Sequence, residues 1–179
     1  MGDCYYCVSG VPVRNKYHAK SCVDLGLRMI QDIREIRSHK NLDIDMRIGI
    51  HSGSIMAGVI GALKWQYDIW SKDVSIANRL ESTGVKGFVP TRDEIVHVSL
   101  KKNINFCRKV HVTQQTLDML EGQYHYEKGT KEAENDVLLK LHGIKTYLIS
   151  RQMVPETNVS EFLNTVLPIP KDILFAVNI

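Results

Sequence analysis

The stretch "LDIDMRIGIHSG" (residues 42–53) alternates between apolar and polar side chains. Its aliphatic positions recur with the period of two that characterises a β-strand with one buried face: Ile44, Met46, Ile48 and Ile50. Arg47 belongs to the other set, so we expect its side chain to point away from the core. His51, Ser52 and Gly53 then indicate a turn. The stretch therefore predicts a strand that is buried on one side and followed by a surface turn.

Helices and further strands flank this strand. Residues 18–38 carry apolar side chains at helical spacing, and residues 73–84 do so again before a glycine stop. Strand patterns occupy residues 4–9, the start of 54–70, 109–113 and 143–150, and Thr113 can cap a helix that begins at Gln114. This order predicts an α+β fold with a mostly antiparallel sheet and helices on one face.

The composition is that of an ordinary folded domain. The chain has 179 residues, of which 44% are hydrophobic and 24% charged, enough for one domain with a buried core. A net charge of +3, without a basic stripe, gives no indication of a nucleic-acid partner. No apolar run approaches the length of a membrane span, so we expect a soluble fragment, although its parent can still be membrane-bound.

Two of the four cysteines have C-x-x-C spacing, which can indicate a redox pair or half of a zinc site. Cys4 and Cys7 lie in a predicted strand, where residues three apart point to opposite faces. We therefore interpret them as reduced, buried thiols, and a redox protein is the less favoured alternative.

Four blocks of sequence carry a family resemblance: "GDCYYCVSG", "MRIGIHSG", "KWQYDIWSKDVSIANRLESTG" and "KVHVTQQTL". Their order and spacing resemble the class III nucleotide cyclases, and the tryptophans resemble the first cytosolic catalytic domain of transmembrane adenylate cyclases. The resemblance implies a ferredoxin-like nucleotide cyclase fold that is incomplete at its N-terminus. It assigns residues 1–150 to a partial catalytic domain and leaves residues 151–179 as a linker or the start of a regulatory segment.

Residues 88–108 interrupt the resemblance as an atypical insertion. They separate two blocks that are adjacent in the family, and they contain a second strand-like string, "IVHVS". One interpretation is a surface insertion, which costs little loop-closure entropy. The other is an unspliced stretch carried into the translated sequence, and it is favoured because removing the segment restores the family spacing.

The resemblance implies conversion of ATP to 3′,5′-cyclic AMP and pyrophosphate where two cyclase halves pair head to tail. Two Mg²⁺ or Mn²⁺ ions would activate the ribose 3′-hydroxyl, and Asp3 matches one of the two aspartates that hold them. Hard carboxylate oxygens suit these ions. Arg47 matches the arginine that contacts the terminal phosphates, a role suited to its guanidinium fork. Since the other metal aspartate is missing, we expect no complete catalytic set and an inactive fragment.

The block around Asp68 matches the positions that read adenine and stabilise the transition state in the partner half. Ser75 stands where an asparagine is expected, which implies a degenerate pocket able to take a diterpene activator of the forskolin type. The residues assigned to this pocket are Asp68, Trp70, Ser71, Ser75 and Arg79. For Trp65 and Trp70, packing in a core or an interface is an alternative.

The resemblance also implies partners and a location. ATP, a second cyclase catalytic domain and G-protein subunits are the expected partners, on the cytoplasmic face of the plasma membrane within a multi-pass parent. Two other functions stay open: a regulatory cyclase-like module that only pairs with another half, and a guanylate cyclase.

Overall fold

A six-stranded sheet forms the centre of the fold, and the computed structural model describes residues 4–42, 44–84, 109–152 and 176–178. The strand order in the sheet is β1-β8-β2-β5-β7-β6, and β3 and β4 form a separate hairpin. In chain order the elements are β1 (Cys4–Tyr6), α1 (His18–Lys40), β2 (Arg47–Ile50), β3 (Met56–Ile60), β4 (Gln66–Trp70), α2 (Lys72–Ser82), β5 (Val110–Thr113), α3 (Gln114–Asp118), β6 (Tyr124–Lys128), α4 (Lys131–Asn135), α5 (Val137–Leu141), β7 (Thr146–Gln152) and β8 (Ala176–Asn178).

The pairing within this sheet is mainly antiparallel. Among the described strands, only β2 and β5 pair in parallel, and β8 pairs antiparallel with both β1 and β2. The pairs β5 with β7 and β6 with β7 are antiparallel as well. The predicted α+β class with a mostly antiparallel sheet is therefore confirmed.

The two longest helices pack on opposite faces of the sheet. On one face, the buried side chains of Ile48 and Val110 join Val23 of α1 in the main core. On the other face, a Cβ at Gly49 would lie 2.3 Å from the backbone nitrogen of Glu81 in α2. The prediction of helices on one face is therefore wrong for α2, because the missing side chain at position 49 lets that helix approach the second face.

A buried histidine fixes α2 to its face of the sheet. His111 of β5 is fully buried, and its Nδ1 lies 2.8 Å from the backbone oxygen of Leu80. Because a carbonyl oxygen can only accept, Nδ1 carries the proton and donates it. Burial lowers the pKa of His111 and so favours the neutral ring, while the hydrogen bond to Leu80 opposes that shift.

The hairpin of β3 and β4 stands apart from the sheet and is largely exposed to solvent. The sequence predicted one bent strand at the start of residues 54–70, and the structure has two strands paired from Met56 with Trp70 to Ile60 with Gln66. Gly61 follows the first strand with a φ of +128°, which favours glycine. Trp65 is 79% exposed and Trp70 is 41% exposed, so neither packs in the core of this chain.

Some predictions fall on residues outside the described ranges, among them the insertion at 88–108 and Asp3. The tail predicted as a linker begins at residue 151, yet β7 extends to Gln152 and β8 lies inside the sheet. Within the described ranges, no helix combines the length and apolar character needed to cross a membrane.

Candidate nucleotide site

Arg47 is held in place by Glu81. The Nε of Arg47 donates a hydrogen bond to Oε1 of Glu81 at 2.8 Å, and the exposed fractions of the two side chains are 23% and 9%. Arg47 opens β2, and Glu81 lies near the end of α2, which packs closely over Gly49. The side chain expected to point away from the main core therefore does so and forms a partly buried ion pair with α2, in which Nε is the donor. The other guanidinium N–H groups are further donors that an anion can use.

The sheet register places Arg47 level with the N-terminal strand. Asn178 of β8 pairs with Cys4 on one side and with Arg47 on the other. Two strand spacings separate β1 from β2, so the backbones at Cys4 and Arg47 lie about 10 Å apart. Asp3, the predicted metal ligand, directly precedes Cys4 in the chain and lies outside the described residues.

His51 connects the end of β2 to two other elements. Its Nδ1 lies 2.9 Å from Oγ1 of Thr113, and its Nε2 lies 3.4 Å from Oδ1 of Asp73. The other Asp73 oxygen accepts a hydrogen bond from the backbone N–H of Ser54 at 2.7 Å. Burial lowers the pKa of His51, while the bond to Asp73 opposes that shift. The network fixes the turn after β2, which agrees with the structural role predicted for this histidine.

The residues assigned to an activator pocket lie along the hairpin and α2. Ser71 is the N-cap of α2, and its Oγ accepts hydrogen bonds from the backbone N–H groups of Asp73 and Val74 at 3.0 and 3.1 Å. Ser75 and Arg79 follow at intervals of four residues, which places them on the same exposed side of the helix.

The two remaining residues assigned to the pocket lie on the hairpin. Asp68 and Trp70 are exposed and two positions apart on β4, so they share one face of the hairpin. The ring of Trp70 lies over Gly58, where an added Cβ would be 3.5 Å from it. The hydroxyl of Ser71 is used by the helix cap, whereas the other four side chains are exposed to solvent.

Comparison with known proteins identifies the family. Residues 1–109 match the model of the adenylate and guanylate cyclase catalytic domain. This chain belongs to the class III nucleotide cyclase family. The predicted family is therefore confirmed.

The curated relatives of this cyclase chain are adenylate cyclases. It is 43% identical over 165 residues to "Adenylyl cyclase X E" of Drosophila melanogaster, covering 91% of this chain and 13% of that protein. It is 35% identical over 163 residues to "Adenylate cyclase type 9" of Gallus gallus, covering 89% of this chain and 11% of that protein. The chain thus spans about an eighth of the length of these relatives or less.

Solved structures of cyclase domains share the fold. The guanylate cyclase domain of RhGC from Catenaria anguillulae, in complex with GTP, matches with a TM-score of 0.56 and 21% identity over 80% of this chain and 65% of that one. The guanylyl cyclase Cya2 matches with a TM-score of 0.58 and 17% identity over 83% of this chain and 66% of that one. These TM-scores show that the cyclase chain shares the fold of those domains.

The three cysteines in the described part of the cyclase chain lie in different environments. Cys7 packs against the main core and Cys22 is buried within it, whereas Cys4 interacts with Tyr6 on the side of α2. Burial raises the pKa of Cys7 to about 11 and that of Cys22 to about 12, so both stay protonated at neutral pH. The interpretation as reduced thiols fits these environments.

No metal centre is assembled within the described part of the cyclase chain. Across residues 4–42, 44–84, 109–152 and 176–178, no group of three or more His, Cys, Asp or Glu side chains is placed to hold an ion. The described residues therefore do not form a metal site by themselves.

Sequence reasoning missed Glu81, the residue that orients Arg47. The signal was present in principle, because an acidic residue on a helix with a buried face needs a partner when it is withdrawn from water. The two residues are 34 positions apart, so only the packing of α2 across β2 reveals the pairing.

Proposed function

We propose that this chain is half of an adenylate cyclase site, in which ATP is converted to 3′,5′-cyclic AMP and pyrophosphate at an interface with a second cyclase catalytic domain. The observation that carries the proposal is Arg47, which Glu81 holds at the register level of Cys4, the residue that follows Asp3 in the chain. The names of the relatives, both adenylate cyclases, support ATP as the nucleotide.

Arg47 is proposed to bind the terminal phosphates of ATP. The ion pair with Glu81 uses Nε, and an arginine has five N–H donors, so the guanidinium can contact both partners at once. Glu81 also restricts the side-chain freedom of Arg47, which reduces the entropy lost on binding an anion.

Mg²⁺ or Mn²⁺ is the proposed cofactor, with Asp3 as the ligand from this chain. Bound ions of this type would neutralise phosphate charge and make the ribose hydroxyl more acidic. Since the described residues hold no acidic cluster, we propose that this chain alone does not complete the two-ion site and is inactive by itself.

The second catalytic domain is proposed to cover the hairpin of β3 and β4. Large apolar side chains on and beside this hairpin are exposed, among them Met56, Val59, Ile60, Leu63, Trp65, Tyr67 and Trp70. An apolar surface of this kind marks an interaction site in a folded domain. The stripe of Asp68, Trp70, Ser75 and Arg79 lies beside it and is the proposed degenerate pocket for a diterpene activator, with Ser71 at its base.

Membrane attachment and regulation are proposed only for the longer parent. A multi-pass protein with this domain on the cytoplasmic face, and contact with G-protein subunits, is what the family resemblance implies. A guanylate cyclase is the second candidate, because the structurally similar guanylate cyclase domain of RhGC is in complex with GTP.

The direct test is nucleotide binding by a mixture of this chain and a second cyclase catalytic domain. Isothermal titration with a non-cyclisable ATP analogue and Mn²⁺ should give one site per pair and a weaker response with the matching GTP analogue. Preferential GTP binding would favour the guanylate alternative, and no binding of either would overturn the proposal.

Two control measurements sharpen this test. Arg47→Met should lower analogue affinity about 10- to 100-fold, as expected for the loss of a charged hydrogen bond. Arg28→Met, at an exposed arginine of α1 whose Nε lies 2.9 Å from Oδ1 of Asp32, is the matched control and should change that affinity little. Cyclic AMP formed by this chain in the absence of the second domain would contradict the statement that its site is incomplete.

A further inference from the structure

A groove lies between the start of α1 and the connection from α3 to β6, and its volume is about 420 Å³. Tyr17 lines it from α1 and Met119 from the connection, and these side chains are 60% and 50% exposed. Leu120 also lines the groove and is buried. Exposed apolar side chains around a concave surface of this size are typical of a binding site. Because α1 and α2 pack on opposite faces of the sheet, the groove is separate from the ion pair of Arg47 with Glu81.

Hydrogen bonds fix one wall of the groove. The hydroxyl of Tyr124 donates to Oδ1 of Asp24, and Nζ of Lys20 lies 3.2 Å from Oδ2 of Asp24 and 3.3 Å from the Tyr124 oxygen. The charges of Asp24 and Lys20 therefore offset each other. Lys16 lies instead over an aromatic ring, with Nζ 5.7 Å from the centre of Tyr17. Its ammonium group remains available to an acidic ligand.

The start of α1 is positively charged. Residues 8–23 contain no acidic side chain, and the first turn of α1 has no side-chain cap. The Lys and Arg residues of this stretch are Arg14, Lys16 and Lys20. On the opposite wall the acidic residue is Glu121. The side of the groove formed by α1 therefore favours an acidic group, while the apolar walls favour a large apolar side chain.

The chain leaves the described residues beside this groove. Gln152 at the end of β7 pairs with Tyr124 at the start of β6. Neighbouring strands lie about 5 Å apart, so the chain continues from a point one strand spacing away from Tyr124. Since the hydroxyl of Tyr124 bonds to Asp24 in the groove wall, a segment that starts there reaches the groove without crossing the sheet.

Two internal stretches lie outside the described ranges, and their charges differ. Residues 85–108 contain five Lys or Arg and two acidic residues, whereas residues 153–170 contain two acidic residues and no Lys or Arg. In the second stretch, Glu161 directly precedes Phe162. Ten residues extend up to about 35 Å, so Phe162 is within reach of the groove from Gln152. Charge and reach both favour the second stretch as the occupant.

We propose that the groove is a docking site for the chain's own residues 156–163. Phe162 packs against Tyr17, and Glu161 pairs with Lys16. The contact joins the segment that follows β7 to helix α1. It is independent of the proposed nucleotide chemistry, and its test needs neither ATP nor a second cyclase domain.

Carbodiimide crosslinking of the full chain tests the ion pair, because this reagent joins an amine to a carboxylate only when the two are in contact. The monomer fraction should contain an amide between Lys16 and Glu161, identified by mass spectrometry. Lys20 and Asp24, 3.2 Å apart, are the internal positive control. Lys64, exposed at the tip of the hairpin, is the negative control and should form no link to Glu161. Absence of the Lys16 product while the positive control forms would overturn the proposal.

The same products show which molecule occupies the groove. A link that forms only between two chains, in a crosslinked dimer, would assign the groove to a second copy and overturn the claim that each chain fills its own.

Backbone hydrogen exchange of the full chain tests the apolar contact. Tyr17→Ser removes a side chain that is 60% exposed, and Tyr67→Ser removes one that is 59% exposed in the hairpin. We expect exchange at residues 156–163 to become at least about tenfold faster in the first variant and to stay unchanged in the second. Equal exchange in the parent and in Tyr17→Ser would show that the segment does not dock on this ring.

A charge reversal separates the ion pair from general effects on folding. Lys16→Glu should accelerate exchange in the docked segment, and adding Glu161→Lys to that variant should slow it again, because the pair is restored with opposite signs. No recovery in the double variant would refute the pairing of these two residues.

Discussion

Replacing Glu81 by glutamine removes the negative charge that faces Arg47 and keeps the shape of the side chain. The paired atoms are 2.8 Å apart, and Glu81 is only 9% exposed, so its charge has little access to water. Removing one member of a fully buried pair costs about 3–5 kcal/mol. Because 23% of the Arg47 side chain still reaches solvent, we expect a smaller loss in the free energy of unfolding, about 2–3 kcal/mol.

A double-mutant cycle isolates the pair. The free energies of unfolding of the parent chain, Glu81→Gln, Arg47→Met and the double variant are measured by urea denaturation, monitored by circular dichroism. The double variant should lose less than the sum of the single losses, with a coupling energy of about 1.5–2.5 kcal/mol. Arg79→Met and Asp136→Asn form the control cycle at an ion pair of 3.9 Å whose arginine is 54% exposed, and its coupling should be close to zero.

One result of the double-mutant cycle would contradict the stabilising interaction between Arg47 and Glu81. If the losses from Glu81→Gln and Arg47→Met add to within about 0.5 kcal/mol, the two side chains do not stabilise each other, and the pre-orientation of Arg47 by Glu81 is wrong. The unfolding cooperativity of each variant must match that of the parent, because a changed denaturant dependence would signal a change in the denatured state.

Three further predictions concern the packing of α2. Gly49→Ala should destabilise the fold by about 3 kcal/mol or more, because its Cβ would meet the helix backbone. Gly58→Ala in the hairpin should cost less than about 1 kcal/mol, and thermal unfolding measures the stability of both variants. Ser71→Ala should cost about 1 kcal/mol through loss of the helix cap, whereas Ser75→Ala should be nearly neutral in the same assay. Burial lowers the pKa of His111, so the unfolded chain binds a proton more readily than the folded chain, and the stability falls as the pH drops below about 6.5. His111→Asn should weaken that fall, which urea midpoints measured from about pH 7.5 to 5 would show.

The sequence predicted the elements whose burial is periodic. The helix predicted at residues 18–38 is observed as His18–Lys40, and the alternation at residues 42–53 contains β2. The hairpin was harder to predict because its side chains are nearly all exposed, so no apolar period divides residues 54–70 into two strands. β8 could not be predicted from local pattern, since three residues form a strand only when both neighbours are supplied by distant parts of the chain.

The candidate site also has one part that the local sequence predicts and another that only the packing of the chain reveals. Arg47 was identified from a block of sequence, because its position in the strand and its charge are both local properties. The ion pair between Arg47 and Glu81 depends on how α2 packs against β2. The alignment of Arg47 with Cys4 depends on the pairing of β8 with its neighbouring strands. No local sequence pattern encodes either arrangement. Asp3 stays a prediction, as do the activator roles of Ser75 and Arg79.

Helix α2 links the exposed pocket stripe to Arg47. At its C-terminal end Glu81 holds Arg47 at the start of β2, and near its N-terminal end Asp73 binds His51 just after β2. Between them Gly49 brings the strand against the helix backbone, so the helix and the strand are joined at three levels. Close-packed elements move as units, since a small gap forfeits many contacts. A ligand that shifts α2 from the hairpin side is therefore expected to move Arg47 with it, which would couple the proposed degenerate pocket to the proposed phosphate-binding residue.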